Sequence, residues 1–199
     1  KSVLRVRYDR LAANELRGRE PFEPVGRAKA YFRRRKLTTA LELGGFPPGS
    51  RLLDVGCSVG QYAIPLAQAG YQVVGVDLSP NSIDVAKRRA ASLGIPHVTF
   101  SVDDAETLAG CADNAFDGVV SFSSLRYVPR LATALGGIYR VLKPGGTFVV
   151  LEFSKPVTFP VKQLYNFYFN SILPFFGKII SKDNSAYNYL PESVKSFPD

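Results

Sequence analysis

The sequence predicts an α/β domain built on a doubly wound, mostly parallel sheet. Between residues 51 and 153, short apolar runs alternate with helical stretches, strand then helix, five strands deep. Each run is apolar almost throughout instead of alternating in polarity. That is the signature of strands covered on both faces, joined by right-handed crossovers. Size and composition permit it: 199 residues at 46% hydrophobic content suffice for one domain with a buried core and argue against disorder.

The elements follow in order. Residues 27–44 (RAKAYFRRRKLTTALELG) carry apolar positions at helical spacing and stop at Gly44-Gly45. After the Pro47-Pro48-Gly49 turn, a first strand over 51–55 runs into Asp54 and Gly56. A helix over 62–69 closes at Gly70, and a β-branched strand over 72–76 ends at Asp77. The helix expected over 82–93 has Ser79 and Asn81 as caps, Pro80 in its first turn and Gly94 as its stop. Strands over 98–102, ending at Asp103-Asp104, and over 116–122 come next. A helix over 131–142 halts at Lys143-Pro144-Gly145-Gly146, and a last strand spans 147–153. The aromatic-rich residues 157–182 break this rhythm. The chain therefore reads as a basic helical arm (1–44), an α/β core (45–156) and an aromatic lid or insert (157–199).

Composition excludes several classes. Two cysteines, Cys57 and Cys111, make no disulfide framework and read as reduced thiols. One histidine beside them makes no zinc site, so no metal is expected. No 18-residue apolar run and no signal peptide are visible, so a cytoplasmic protein is expected, or one in the mitochondrial matrix if eukaryotic. The sequence lacks methionine, so Lys1 reads as the start of a processed chain or of part of a longer one. Net charge is +8, all of it in residues 1–36, where twelve Lys/Arg face four acids; the other 163 residues hold thirteen of each sign. Such an arm suits an anionic membrane surface, with a solvated helical face as the bland alternative. Nucleic acid ranks low, because aromatic residues are sparse among the basic ones.

In a sheet of this kind ligands sit beyond the carboxyl ends of the strands. Asp54, Asp77 and Asp104 fall at three successive strand ends, and Gly56 and Gly60 open a turn into a helix. An acid such as Asp77 suits a ribose diol, and one at 103–104 suits an adenine amino group. A dinucleotide loop would read G-x-G-x-x-G; here Gly56-x-x-x-Gly60 is opened by an acid, which repels a pyrophosphate and favours the cationic end of S-adenosylmethionine. His97 precedes the third strand, at the opposite end of the sheet, and is set aside as a base.

The segments LLDVGCSVGQYA (52–63), VVGVDLSP (73–80), VDDAETL (102–108), FDGVVSFSSL (116–125) and RVLKPGGTFVVLEFSKP (140–156) resemble the successive motifs of class I S-adenosylmethionine-dependent methyltransferases. The resemblance implies that Gly56, Cys57, Ser58 and Gly60 wrap the methionine half beside Asp54. It implies that Asp77 holds the ribose, Leu78 packs on adenine, Asp104 and Ala105 meet its edge, and Ser121 lines the floor. Ser58 stands where the family has glycine, which implies a less permissive loop.

The tail resembles a narrower group. LP-x-x-G-K (173–178) followed by AYNYLPESVKSFP (186–198), with LEFSKP (151–156), is similar to the ubiquinone/menaquinone biosynthesis C-methyltransferases. This implies methylation of a ring carbon on a polyprenyl quinol, a lipophilic small molecule, by an enzyme peripheral at a membrane. Tyr127, Tyr165, Phe169 and Phe176 are the expected substrate contacts. Arg126 aligns with an arginine of that group and is the expected stabiliser of a phenolate; Tyr127 replaces the family's asparagine. Tyr8 resembles an N-terminal tyrosine lying over the cofactor. The family continues with a helix and two more strands, so a five-stranded sheet with an open edge is expected, in a shortened or homo-oligomeric chain. The alternatives weighed are an N- or O-methyltransferase of a soluble small molecule and, more remotely, a non-catalytic or RNA-directed basic module.

Overall fold

A computed structural model describes residues 27–152 and 158–167 and, within them, all side chains except those of residues 27–30, 161, 165 and 166. These residues fall in two units that part between Glu152 and Phe153.

In the first unit, α1 (Arg27–Gly44) leads into β1 (Arg51–Val55), α2 (Ala63–Gln68), β2 (Gln72–Asp77), α3 (Pro80–Ser92), β3 (Val98–Val102), β4 (Phe116–Phe122), a 3₁₀ turn at Leu125–Tyr127, α4 (Leu131–Val141) and β5 (Leu142–Leu151). The strands lie in the order β3-β2-β1-β4-β5 and every pairing is parallel. The order reverses beside β1, the first strand laid down, so the crossovers on its two sides leave a crevice at that point.

Alternate side chains of the central strands supply two cores. Leu52, Val73, Val120 and Phe122 pack with α1, α2 and α3 on one face, around Ala40, Ile64, Leu66, Ile83 and Ala86. Leu53, Val55, Val76 and Val119 pack on the other with Ile138 and Val141 of α4. Leu52 and Leu53 are fully buried, and each such side chain contributes about 1.5–3 kcal/mol. This two-sided burial is why the runs read as apolar throughout. The described sheet is the expected doubly wound one.

Beyond shifts of one residue at several ends, the main boundary differences from the sequence reading are these. Helix α3 begins at Pro80, two residues early, because the Ser79 side chain accepts from Ser82 N at 3.1 Å and caps it there. Helix α2 is confined to Ala63–Gln68. Strand β5 already starts at Leu142: it pairs with Phe116, and pairing resumes at Gly118↔Thr147, so Lys143–Gly146 form a bulge in the strand and not a loop before it. In the second unit, the described residues contain one short helix, α5 (Val161–Phe167).

Candidate functional site

All five strands run the same way, so the residues that follow them gather at one end of the sheet. There they enclose a cavity of about 190 Å³. Its wall comes from the loop after β1 (Gly56, Ser58), the end of β2 (Asp77, Leu78), the loop after β3 (Asp103, Asp104, Ala105) and the segment after β4 (Ser123, Ser124, Tyr127).

The wall on the β1–β3 side is acidic and tied down by backbone. The Asp77 carboxylate accepts from Ser58 N at 2.8 Å and from Ser79 N at 3.0 Å, bridging two loops. Asp104 N donates to Asp103 Oδ1 at 2.8 Å, and Asp104 Oδ1 accepts from Glu106 N at 3.0 Å. Glu106 is buried and paired with Arg130, whose Nη2 and Nε lie 2.6 and 2.9 Å from it, which fastens this loop to the start of α4. The amides of Gly56 and Cys57 donate to Val76 O, and the buried Arg89 donates to Val59 O at 2.6 Å.

Gly56 has φ +78°, and a Cβ there would fall 2.3 Å from that of Ser124. Only glycine permits this approach of β1 to the segment after β4. Ser58 has φ +50°, in the left-handed region that a side chain makes costly. Ser58 thus adopts a backbone conformation ordinarily taken by glycine.

Asp54 lies beneath this loop, 1% exposed, with Oδ2 buried and without a hydrogen-bond partner. Burial first, and the Asp77 carboxylate second, push its carboxyl up to about 7, against a hydrogen bond from the Ala63 backbone. An orphaned carboxylate oxygen under a loop beside a second carboxylate suits a cationic group at the loop mouth.

The sequence-predicted residues divide accordingly. Gly56, Ser58, Asp77, Leu78, Asp104, Ala105 and Tyr127 meet at the cavity. Ser121 lies behind it, 1% exposed, its Oγ 2.7 Å from that of Ser124. The Cys57 thiol is buried, and burial, then Asp54 and Asp77, raise it well above the ordinary thiol range, which leaves it a poor nucleophile. Gly60 has φ +76° and packs against Phe100 and Ile64. His97 gives its carbonyl to Val73 N at the amino ends of the strands. Tyr8, Phe169 and Phe176 lie outside the described residues, as does the Tyr165 side chain, whose backbone is in α5.

The wall on the β4–β5 side is lined by Phe122, Ser123, Ser124, Tyr127, Val128 and Pro129, with two cations behind it. Arg126 turns its guanidinium onto Ser123 O at 3.4 Å and onto Glu152, with Nε 3.4 Å from Oε2, and lies over the Tyr127 ring at 5.1 Å. Lys36, from α1, donates to Ser123 Oγ at 2.8 Å. Phe122 stacks on Tyr62 at 3.9 Å and supplies apolar surface.

Sequence reasoning missed Lys36, Ser123, Ser124, Arg89 and Glu106. The serines directly after β4 offered a signal, since residues at that strand end face the crevice; Lys36 was hidden in the basic run 33–36. Among the described residues, no group of three His, Cys, Asp or Glu could hold a metal ion, and no helix is long and apolar enough to cross a membrane.

Comparison with known proteins places this geometry. Residues 32–199 match the ubiE/COQ5 methyltransferase family. The demethylmenaquinone methyltransferase of Anoxybacillus flavithermus is 41% identical over 153 residues, 75% of this chain and 64% of that protein. Its namesake from Thermus thermophilus is 40% identical over 173 residues, 86% of this chain and 76% of that one. The chain thus spans just under two thirds of the length of the Anoxybacillus relative. Among solved structures, the [4+2]-cyclase SpnF superposes with a TM-score of 0.59 at 36% identity, covering 62% of this chain and 46% of that chain. Phosphoethanolamine N-methyltransferase 2 of Haemonchus contortus, in complex with S-adenosyl-L-methionine, gives 0.57 at 30%, covering 66% and 31%. A cyclase and a methyltransferase on one scaffold show that the chemistry lies in the site and not in the sheet.

Proposed function

The chain belongs to the ubiE/COQ5 methyltransferase family, and from that premise we propose that it transfers a methyl group from S-adenosylmethionine to a ring carbon of a polyprenyl quinol. The name of its curated relatives favours a demethylmenaquinol among such quinols. The observation that carries this reading is a cavity lined by Asp77 and Asp104 at the carboxyl ends of neighbouring strands, with the buried Asp54 beneath its loop and the apolar Phe122, Val128 and Pro129 on its far side.

Bound there, S-adenosylmethionine supplies an electrophilic methyl group on a cationic sulfur. Asp77, fixed by two backbone amides, would accept from the ribose hydroxyls. Asp104 and Ala105 would meet the adenine edge and Leu78 its face. Asp54, whose Oδ2 is orphaned, fits the cationic end. Behind the opposite wall, Arg126 would act through water to stabilise the ionised oxygen of the quinol. The oxygen would give its proton to water, and the bound cofactor would supply the methyl to the ring carbon while keeping the carbon–sulfur electron pair on sulfur. The ring carbon's own proton would be lost to water, restoring the aromatic ring.

A bilayer-borne substrate needs an enzyme that reaches the lipid surface. The +8 charge of residues 1–36 supports docking on anionic lipid as a peripheral protein.

The test is incubation with methyl-labelled S-adenosylmethionine and either demethylmenaquinol in anionic vesicles or a panel of soluble amines and phenols. One labelled methyl on the quinol ring carbon is the expected product. Label on a soluble amine or phenol oxygen and none on the quinol would replace this reading with the N- or O-methyltransferase.

A further inference from the structure

We propose that Lys36 and Ser123 form a second arm of the acceptor site: the Ser123 hydroxyl donates to the ionised acceptor oxygen while the Lys36 ammonium holds and polarises it. This rests on the reading of the cavity as a methyl-acceptor site and deepens it by adding a donor and a positioning residue.

The geometry supports each part. Ser123 lines the cavity, and Lys36 Nζ lies 2.8 Å from its Oγ, reaching it from a helix 87 positions earlier in the chain. With Oγ accepting from the ammonium, its own hydrogen must go elsewhere. The Leu151 carbonyl at 3.5 Å is long for such a bond, so the hydrogen can turn into the cavity. Ser124, the neighbouring hydroxyl, is engaged instead: its Oγ donates to Val55 O at 2.7 Å.

Ser123 has φ +59°, a conformation costly for any residue with a side chain. Its amide donates to Leu151 O at 2.9 Å, and Arg126 donates to its carbonyl, so the strained backbone is held by neighbours on both sides. Strain maintained in this way fixes the direction of one side chain.

Charge agrees with geometry. Lys36 donates to Ser123, and Arg126 pairs with Glu152, so two cations stand behind this side of the cavity where the opposite side is lined by carboxylates. A neutral phenol gains little there; a phenolate gains the full complement. Burial foremost, then Arg126, lowers the Lys36 ammonium below the ordinary lysine range, and Glu152 opposes them. The arm therefore loses its charge at a less alkaline pH than a surface lysine.

The test reads ionisation directly, without requiring turnover. 4-Nitrophenol, whose ionised form absorbs in the visible, is titrated with pH in the presence of the full chain and S-adenosylhomocysteine. The bound phenol should ionise about one pH unit below the free one. Lys36→Met and Ser123→Ala should each remove most of that shift, and the double variant should remove no more than either alone. Lys36→Arg should keep the shift and extend it to higher pH, because its cation does not titrate. Far-UV circular dichroism and cofactor titration check that each variant is folded. A bound phenol that ionises at its solution pH in the wild type, or an unchanged shift in both Lys36→Met and Ser123→Ala, overturns the proposal. If the shift is present and quinol methylation is absent, the oxygen site stands and the proposed substrate falls.

Discussion

The two walls of the cavity are built on opposite principles. The β1–β3 wall is local: each carboxylate sits on the residue that ends a strand or within two of it, and backbone amides of the adjacent turn hold Asp77 and Asp104. The β4–β5 wall is supported from a distance: behind Ser123, at the end of β4, stand Lys36 from α1 and Arg126 paired with Glu152 at the end of β5. One wall presents carboxylates held by their own turns; the other is backed by cations brought from distant elements. The scaffold is shared with a cyclase, so the sheet alone does not set the reaction.

The comparison can be broken first where the walls touch. Gly56→Ala should have the largest effect, since it places a Cβ 2.3 Å from that of Ser124 at φ +78°. Strain and overpacking together should cost roughly 3–5 kcal/mol. Chemical denaturation measures it, and wild-type stability would show that the β1 loop and the segment after β4 are independent.

The acidic wall carries its own pH signature. Asp54 is raised to about 7 in the folded chain from an ordinary 3.8. Between those values the native state keeps a proton that the unfolded chain has lost, so this group's contribution is full below about pH 4 and is lost as pH rises to about 7. The loss is at most about 4 kcal/mol by linkage. Asp54→Asn should flatten that decline in thermal scans of the cofactor-free chain. It should also abolish the rise in S-adenosylmethionine affinity expected as the wild-type carboxyl ionises. An Asn variant that declines as the wild type does would reassign the proton.

Behind the β4–β5 wall, Arg126→Ala should lower turnover by about 10–100-fold, the scale of one charged hydrogen bond of roughly 1.5–3 kcal/mol. Cofactor affinity should stay unchanged in the same titration. A parallel loss of both would mean that the two walls are not separable. The smallest effect is expected at Ser58. Ser58→Gly relieves a left-handed φ of +50° and should stabilise the chain by about 1 kcal/mol or less, read from the denaturant midpoint.

The same division explains what the sequence made legible. Apolar runs buried on both faces announce a parallel sheet, and the acids that end β1, β2 and β3 can be read off because strand, tip and turn are contiguous. Lys36 could not be read in this way: it is one of four consecutive cations, and only the packing of α1 on the sheet selects it. Ser121 and Ser124 exchange roles for a similar reason. The strand pleat buries Ser121, and the turn that follows brings Ser124 to the cavity and to Val55 O. The bulge at 143–146 escaped because Pro-Gly-Gly signals a turn equally well inside or before a strand.

The most direct test of the acidic wall is isothermal titration of S-adenosylmethionine into the wild type and Asp77→Ala. A ribose held by this carboxylate predicts affinity weaker by about 1–3 kcal/mol in the variant, roughly 5- to 150-fold. Equal affinities for the two proteins would contradict the account.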